Sequence, residues 1–429
     1  MKKIGLFLFD ICFALQMVAQ EQNYFTNPVI RGDVPDPSVI RIEDTYYATG
    51  TSSEWAPFYP MFTSKDLVNW KQVGHVFTKQ PSWTSNSFWA PELFYHNNKV
   101  YCYYTARQKS TGISYIGVAT SDSPLHEFTD HGPIVEYGKE AIDAFIYDDN
   151  GQLYISWKAY GLDTRPIELL GCKLSADGLH LDGEPFTLLV DEKGIGMEGQ
   201  YHFKEGDYYY IVYAAHGCCG PSSDYDVYVA RARNYGGPYE KYSGNPILHG
   251  GEGDYKSCGH GTVVRTSDGR MFYMCHAYLK GDGFFIGRQP ILQEMEMTDD
   301  HWVRFKTGNL AIAEQPIPFV GTKQEPLSDF EDNFKGNQLK VDWTWNYPYS
   351  DIHAVLKKGK LFLSGTPKNN NKYGTALCLR PQSPQYSCET KVINTGKGLK
   401  GLTLYGDDKN LIAWGIEGDK LILKVVKDD

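Results

Sequence analysis

Residues 141–159, AIDAFIYDDNGQLYISWKA, hold one complete unit of a pattern that the chain repeats. A carboxylate, Asp143, opens a short apolar run, Asn150-Gly151 makes a tight turn, and an aromatic run returns. Short apolar runs joined by Asn-Gly read as the two strands of a hairpin. The order recurs on either side of this unit, with openers Asp36, Glu92, Asp143, Glu198 and His260 spaced 56, 51, 55 and 62 residues apart. The returning strands are DTYYATGTS, KVYCYYTA, QLYISWKA, DYYYIVYAA and RMFYMCHAY, and a third strand generally follows, as in SYIGVATSD and YDVYVARAR. Repeats of hairpin-linked strands at this period predict a β-propeller, and five units fall within its usual range of about four to eight blades. Inner strands of a propeller converge on its axis. Four carboxylates and an imidazole, scattered along the chain, are therefore expected in one place, which is the layout of an active site.

Composition agrees with an all-β chain. Aromatic residues make up 14% of 429 residues, with 43 Gly and 22 Pro, and long helical periodicity is absent. The formal net charge of −10 leaves no basic stripe for a phosphate backbone, so nucleic acid is excluded as the expected partner. An acidic, aromatic-rich surface suits neutral sugars. Residues 1–19 read as a signal peptide: Lys2-Lys3, then the apolar stretch Ile4 to Val18, interrupted by Asp10, with cleavage near Ala19-Gln20. That run is short for a bilayer span, so no membrane span is expected and the protein is placed outside the cytoplasm, secreted or periplasmic.

Beyond Cys12 there are eight cysteines and no metal-type CxxC spacing. Cys218 and Cys219 are adjacent, so a bond between them closes a small ring; free thiols are the other reading, and both stay open. Cys378 and Cys388 flank the turn RPQSPQYS and are candidate cross-strand partners. The Pro-rich segment AIAEQPIPFVGTKQEPLSD divides the chain into a propeller at 20–322 and a domain at 323–429. The latter has short alternating strands, AVLKKGKLFLSG, TALCLRP, SCETKVIN, KGLTLYG and NLIAWGIEGDKLILKVV, which predict a small, possibly truncated β-sandwich.

Asp36 lies between Pro35 and Pro37, which fix the backbone that carries it. Asp143 sits in an apolar strand, where a carboxylate is costly without a partner. Glu198 stands between Met197 and Gly199, in an apolar setting that raises a carboxyl pKa. Each alone reads equally as a structural carboxylate; their shared register is the stronger signal. Two carboxylates facing each other across a sugar are the minimum for glycoside hydrolysis, one ionised to activate water and one protonated to assist the leaving oxygen.

The stretch from NPVIRGDVPDPSVI to HWVRF, with WAPEL at 89–93, AID at 141–143, MEG at 197–199, GHG at 259–261 and GR at 287–288, resembles glycoside hydrolase family 43. The family comprises five-bladed propeller enzymes that invert anomeric configuration. The resemblance implies Asp36 as general base, Glu198 as general acid and Asp143 as modulator of the acid's pKa. It implies Arg288 as a sugar contact and His260 as the axial histidine near either a structural calcium, reached through water, or a water cluster, with no cofactor required. Trp89, Phe145, Trp55 and His216 are the remaining candidates for the pocket wall.

GRQPILQEMEMTDDHWVRF and DNFKGNQLKVDWTWNYP resemble the β-xylosidase and α-L-arabinofuranosidase branch. An exo-acting, inverting glycosidase on plant-type oligosaccharides or polysaccharide side chains is the leading expectation. An exo-galactanase or arabinan-cleaving enzyme is the second, since one propeller hosts several specificities. A catalytically inactive sugar-binding propeller is the third.

Overall fold

The computed structural model describes residues 23–160, 165–393 and 396–427; the expected signal peptide lies outside them. Five four-stranded antiparallel sheets follow one another along the chain. Blade one is Ser38–Ile42, Thr45–Thr49, Phe58–Ser64 and Lys71–Phe77, and blade two Thr84–His96, Lys99–Gln108, Ser114–Ser121 and Thr129–Val135. Blade three is Ala141–Asp149, Gln152–Ala159, Glu168–Lys173 and Phe186–Val190. Blade four is Glu198–Glu205, Tyr208–Ala215, Asp226–Ala232 and Glu240–Lys241, and blade five Tyr255–Arg265, Met271–Leu279, Arg288–Met297 and Val303–Phe305. The first strand of each blade touches the first strand of the next, and that of blade five touches that of blade one, so the ring closes. This is the expected propeller.

Aromatic second strands fill the spaces between blades. Tyr103, Tyr104, Trp157, Tyr210 and Tyr273 are fully buried. Such phenols need acceptors: the Tyr103 hydroxyl donates to Gly178 O at 2.7 Å and that of Tyr104 to Asp130 Oδ1 at 2.6 Å. Truncating one of these rings to alanine removes about 3–5 kcal/mol of packing. The ring is latched by residues 27–34, which run along the third strand of blade five. Asn27 donates to Leu292 O and accepts from Leu292 N, at 2.9 and 2.8 Å. Val34 N donates to Arg288 O at 3.0 Å.

One backbone device recurs where the inner strands begin. Asp36, Ala90, Asp143, Gly199 and His260, one per blade, have φ of 56°, 41°, 59°, 60° and 48°. In blades two to five the pairing register slips at this residue, the mark of a β-bulge. A left-handed residue costs an L side chain about 1–2 kcal/mol, and the bulge takes it out of the regular in-out alternation of the strand. Glycine is required in blade four: a Cβ on Gly199 would lie 2.5 Å from His260 Cγ.

Beyond blade five, Trp345–Asn346 pairs with Trp55–Ala56 and ties the C-terminal region to the propeller. A two-stranded sheet, Ser350–Leu356 with Leu361–Pro367, and a three-stranded sheet, Lys400–Tyr405, Leu411–Glu417 and Lys420–Val426, follow. Two expected strands do not form: TALCLRP carries a single bridge, Cys378 to Thr344, and described residues 387–393 carry none. Cys378 faces Thr344 rather than Cys388, and both thiols are free, so that pairing is corrected. Among the described residues no helix is long and apolar enough to cross a membrane.

Candidate active site

The residue opposite each bulge, near the end of the second strand, forms a second ring that serves the next blade. Thr51 sits at this level in blade one, its N–H donating to Pro35 O at 2.8 Å. Its partners are Thr105 opposite Trp89, Lys158 opposite Ile142, Ala214 opposite Glu198, and His276 opposite Gly259. The Thr51 hydroxyl accepts from Ala90 N at 2.7 Å, and that of Thr105 from Asp143 N at 3.2 Å. Lys158 reaches Glu198, and His276 Nδ1 lies 3.2 Å from Asp36 N. Ala214 and the Tyr225 ring leave only enough room for glycine at 259, where an added Cβ would lie 2.5 Å from Tyr225 Cδ1 and 3.0 Å from the Ala214 methyl. Each catalytic candidate is thereby set by the preceding blade.

Asp36, Asp143 and His260 meet at the axis: His260 Nδ1 is 3.4 Å from Asp36 Oδ1 and 3.9 Å from Asp143 Oδ2. Asp36 is 8% exposed. Its Oδ2 accepts from the Thr51 hydroxyl at 2.6 Å, while His276 Nδ1 and Arg288 Nη1 stand 3.1 and 3.5 Å from Oδ1. Burial pushes this carboxyl up, but Arg288, His260 and His276 together pull it well below the usual range. Arg288 is itself placed by Asp33, whose Oδ1 accepts its backbone N–H at 2.7 Å.

Glu198 accepts from Lys158 Nζ at 2.5 Å and from the Tyr225 hydroxyl at 2.9 Å. The Lys158 side chain is 4% exposed. Burial raises Glu198, and the charge and hydrogen bond of Lys158 outweigh it, leaving the carboxyl below its ordinary value. Asp143 Oδ2 accepts from Gly199 N at 3.2 Å. Its pKa is raised to about 6, first by burial, then opposed by His260 and reinforced by Glu198. Below about pH 6 Asp143 is therefore the protonated member of the pair, whereas the apolar surround of Glu198 suggested Glu198. The cause is Lys158, a buried cation that the reading of the sequence did not weigh.

The other candidates divide. Trp89 is half-buried beside Ala90 on the inner strand of blade two. Phe145 is 5% exposed, with its ring 4.5 Å from Tyr201 and stacked 5.3 Å from His202, so it fills the seam between blades three and four and is not a pocket wall. Trp55 meets Tyr405 edge-on at 6.1 Å and belongs to the seam with the C-terminal region. His216 heads the loop between the second and third strands of blade four, its Nε2 3.0 Å from the Tyr228 hydroxyl. Glu92 is two residues below the bulge position that Ala90 takes. Burial raises it to about 8, against a hydrogen bond from Ser38.

The residues around His260 do not fit a directly ligated calcium, which takes about six to eight oxygens. Both Asp36 oxygens are occupied by Thr51, His276 and Arg288. Among the described residues no cluster of three His, Cys, Asp or Glu could hold a metal ion.

Residues 25–303 match Glycosyl hydrolases family 43, and residues 331–429 match the Beta xylosidase C-terminal Concanavalin A-like domain. A xylan 1,3-beta-xylosidase of Vibrio sp is 28% identical, over 88% of this chain and 76% of that protein. The non-reducing end alpha-L-arabinofuranosidase BoGH43B of Bacteroides ovatus is 28% identical, over 95% and 77%. The solved structure of the Bacteroides ovatus xyloglucan-locus GH43B superimposes with a TM-score of 0.75 at 22% identity, covering 94% of this chain and 84% of that one, which speaks to the fold alone. With the propeller matched across its blades, the chain belongs to glycoside hydrolase family 43 and is a glycoside hydrolase.

Proposed function

We propose that the protein is an exo-acting, inverting pentosidase, a β-xylosidase or α-L-arabinofuranosidase, with Asp36 as base and Glu198 as acid. One observation carries the reading: two buried carboxylates on the first and fourth blades flank the Asp143–His260 pair, and Asp143, whose pKa burial raises, feels the charge of the second more strongly than that of the first. Asp36 stays ionised under Arg288 and the two histidines. Glu198 is lowered by Lys158, and Asp143, whose pKa its charge helps to raise, holds a proton below about pH 6. Water held by Asp36 gives up its proton to that carboxylate as its oxygen bonds to the anomeric carbon. The glycosidic C–O bond breaks, and the departing oxygen takes the proton of Glu198. Lys158 and Tyr225 stabilise the carboxylate left on Glu198, and the one proton of the pair passes from Asp143 through Glu198 to the departing oxygen in each turnover. Arg288 and Trp89 would hold the sugar.

Carboxylates entering from the first and fourth of five blades approach the axis from well-separated directions. That suits the gap of roughly 6.5–9.5 Å that inversion needs for the water, better than the shorter retaining gap. Exo action is supported by the relative that acts at a non-reducing end, and pentose by the names of both relatives. The reading includes oligosaccharides as substrates and secretion through residues 1–19, and it assigns no step to a metal. Kinetics with aryl β-xylosides, α-L-arabinofuranosides and β-galactosides test it. Turnover of the pentosides is expected; preference for the galactoside, or no turnover at all, overturns it.

A further inference from the structure

The loop between the second and third strands of blade four, residues 216–225, contains HGCCGPSSDY, and its adjacent cysteines Cys218 and Cys219 are joined by a disulfide. Of the two readings that the sequence leaves open, the closed ring is the one found. Cys219 is exposed and Cys218 half-buried. The loop's two stems bracket Glu198: Ala214, just before it, pairs with Glu198, and Tyr225, at its end, donates to Glu198 Oε1 at 2.9 Å.

The loop is also pinned on its far side. Ser223 Oγ contacts Gly217 O and Cys218 O at 2.9 and 3.1 Å and pairs with Ser257 Oγ at 2.7 Å. Gly220 N donates to the Tyr278 hydroxyl at 3.1 Å, and the Tyr278 ring stacks on Phe284 at 4.5 Å. Next to Phe284, Phe285 is 56% exposed. The disulfide thus sits in a loop whose two stems meet Glu198 and which Gly220 joins to the Tyr278–Phe284 stack.

We propose that the Cys218–Cys219 disulfide is a wall of the leaving-group subsite, packing against the C–H face of the sugar ring that departs from Glu198; the proposal rests on the pentosidase reading above. A disulfide has no N–H or O–H to donate, and its sulfurs are polarisable, so it favours the apolar face of a ring over its hydroxyl edge. Closing two adjacent residues into one ring also removes the rotamer freedom that two separate thiols would lose on contact. A second sugar ring therefore gains a rigid surface. A leaving group without a ring gains nothing from it.

The test compares two substrates that share a glycone, 1,4-β-xylobiose and methyl β-D-xyloside, or the corresponding arabinose pair if the aryl panel selects arabinose. Opening the disulfide by C218S/C219S is expected to lower the disaccharide-to-methyl ratio of kcat/KM about tenfold, chiefly through KM, the loss of one modest apolar contact. Wild-type enzyme treated with a phosphine, with the gain of two hydrogens checked by mass, provides the same comparison without a new sequence. Phe285→Ala should lower the ratio in the same direction. An unchanged ratio in active, ring-opened enzyme overturns the inference alone. A wild-type enzyme that turns over neither substrate overturns the pentosidase reading and this inference with it.

Discussion

The two sides of the pocket hold a buried carboxylate by different means. On the base side, Asp36 is surrounded by fixed partners: Thr51 at 2.6 Å, His276 at 3.1 Å, His260 at 3.4 Å and Arg288 at 3.5 Å. Every one favours the ionised form, and the carboxyl has a single state. On the acid side, Lys158, His260 and the Tyr225 hydroxyl favour the ionised form of Glu198, while its carboxyl neighbour Asp143 holds a proton up to about pH 6. Opposite influences meet there: Asp143 is raised while Glu198 is lowered. A base that must be ionised before each turnover is held so by its partners, while an acid that must lose and regain a proton is balanced between neighbours.

The largest effect should come from breaking the locked side. Asp36→Ala removes the only base and is expected to lower kcat/KM about ten-thousand-fold on every substrate, whatever its leaving group. Asp36→Asn, which keeps the shape, should do the same with little change in Tm. On the balanced side the loss should depend on the substrate. Glu198→Ala should cost about a thousand-fold on a disaccharide and only about tenfold on an aryl glycoside with an acidic phenol, which leaves without help. Equal losses across leaving groups would erase the distinction between the two sides.

The proton on Asp143 sharpens the comparison through pH. Asp143 is raised to about 6, so its proton is present below that value and lost above it. Activity should therefore fall as pH rises through about 6, while Asp36 keeps the acid limb well below its ordinary value of 3.8. Asp143→Asn leaves the proton to Glu198 alone, which Lys158 holds low, so the alkaline limb should move down. Lys158→Met removes that pull, and the limb should move up. Opposite shifts from two neighbouring substitutions are the signature of a balanced pair; a common direction would refute it. The smallest effect is expected from exhaustive chelation, which should leave kcat and Tm within about twofold and a few degrees, because the residues at the axis do not make a direct calcium site.

Much of the propeller was legible because alternating aromatic strands and tight turns repeat at a nearly constant period. Asp36, Asp143 and His260 were legible for the same reason, since all three occupy the left-handed residue of their blades. Register was harder to read. Glu198 is one residue before its bulge and Glu92 two residues after, and a slip of one or two residues decides which side chain reaches the axis. Lys158, Thr105 and His276 escaped notice, although each is a polar residue followed by alanine at the end of an aromatic strand: YYTA, SWKA, MCHA. In hindsight that recurring pair marks the second ring. Phe145 was misread because an aromatic next to a catalytic candidate has the same sequence signature whether it lines a pocket or fills a seam. In the C-terminal region, TALCLRP alternates like a strand yet makes one bridge, since strand patterning alone does not supply a pairing partner.

The central claim is that a locked base and a balanced acid act on opposite faces of one sugar. Proton NMR of the first-formed product, recorded before mutarotation, tests it most directly. The account predicts a sugar of inverted anomeric configuration, released in a single displacement by water. A first product that retains the configuration of the substrate would contradict it.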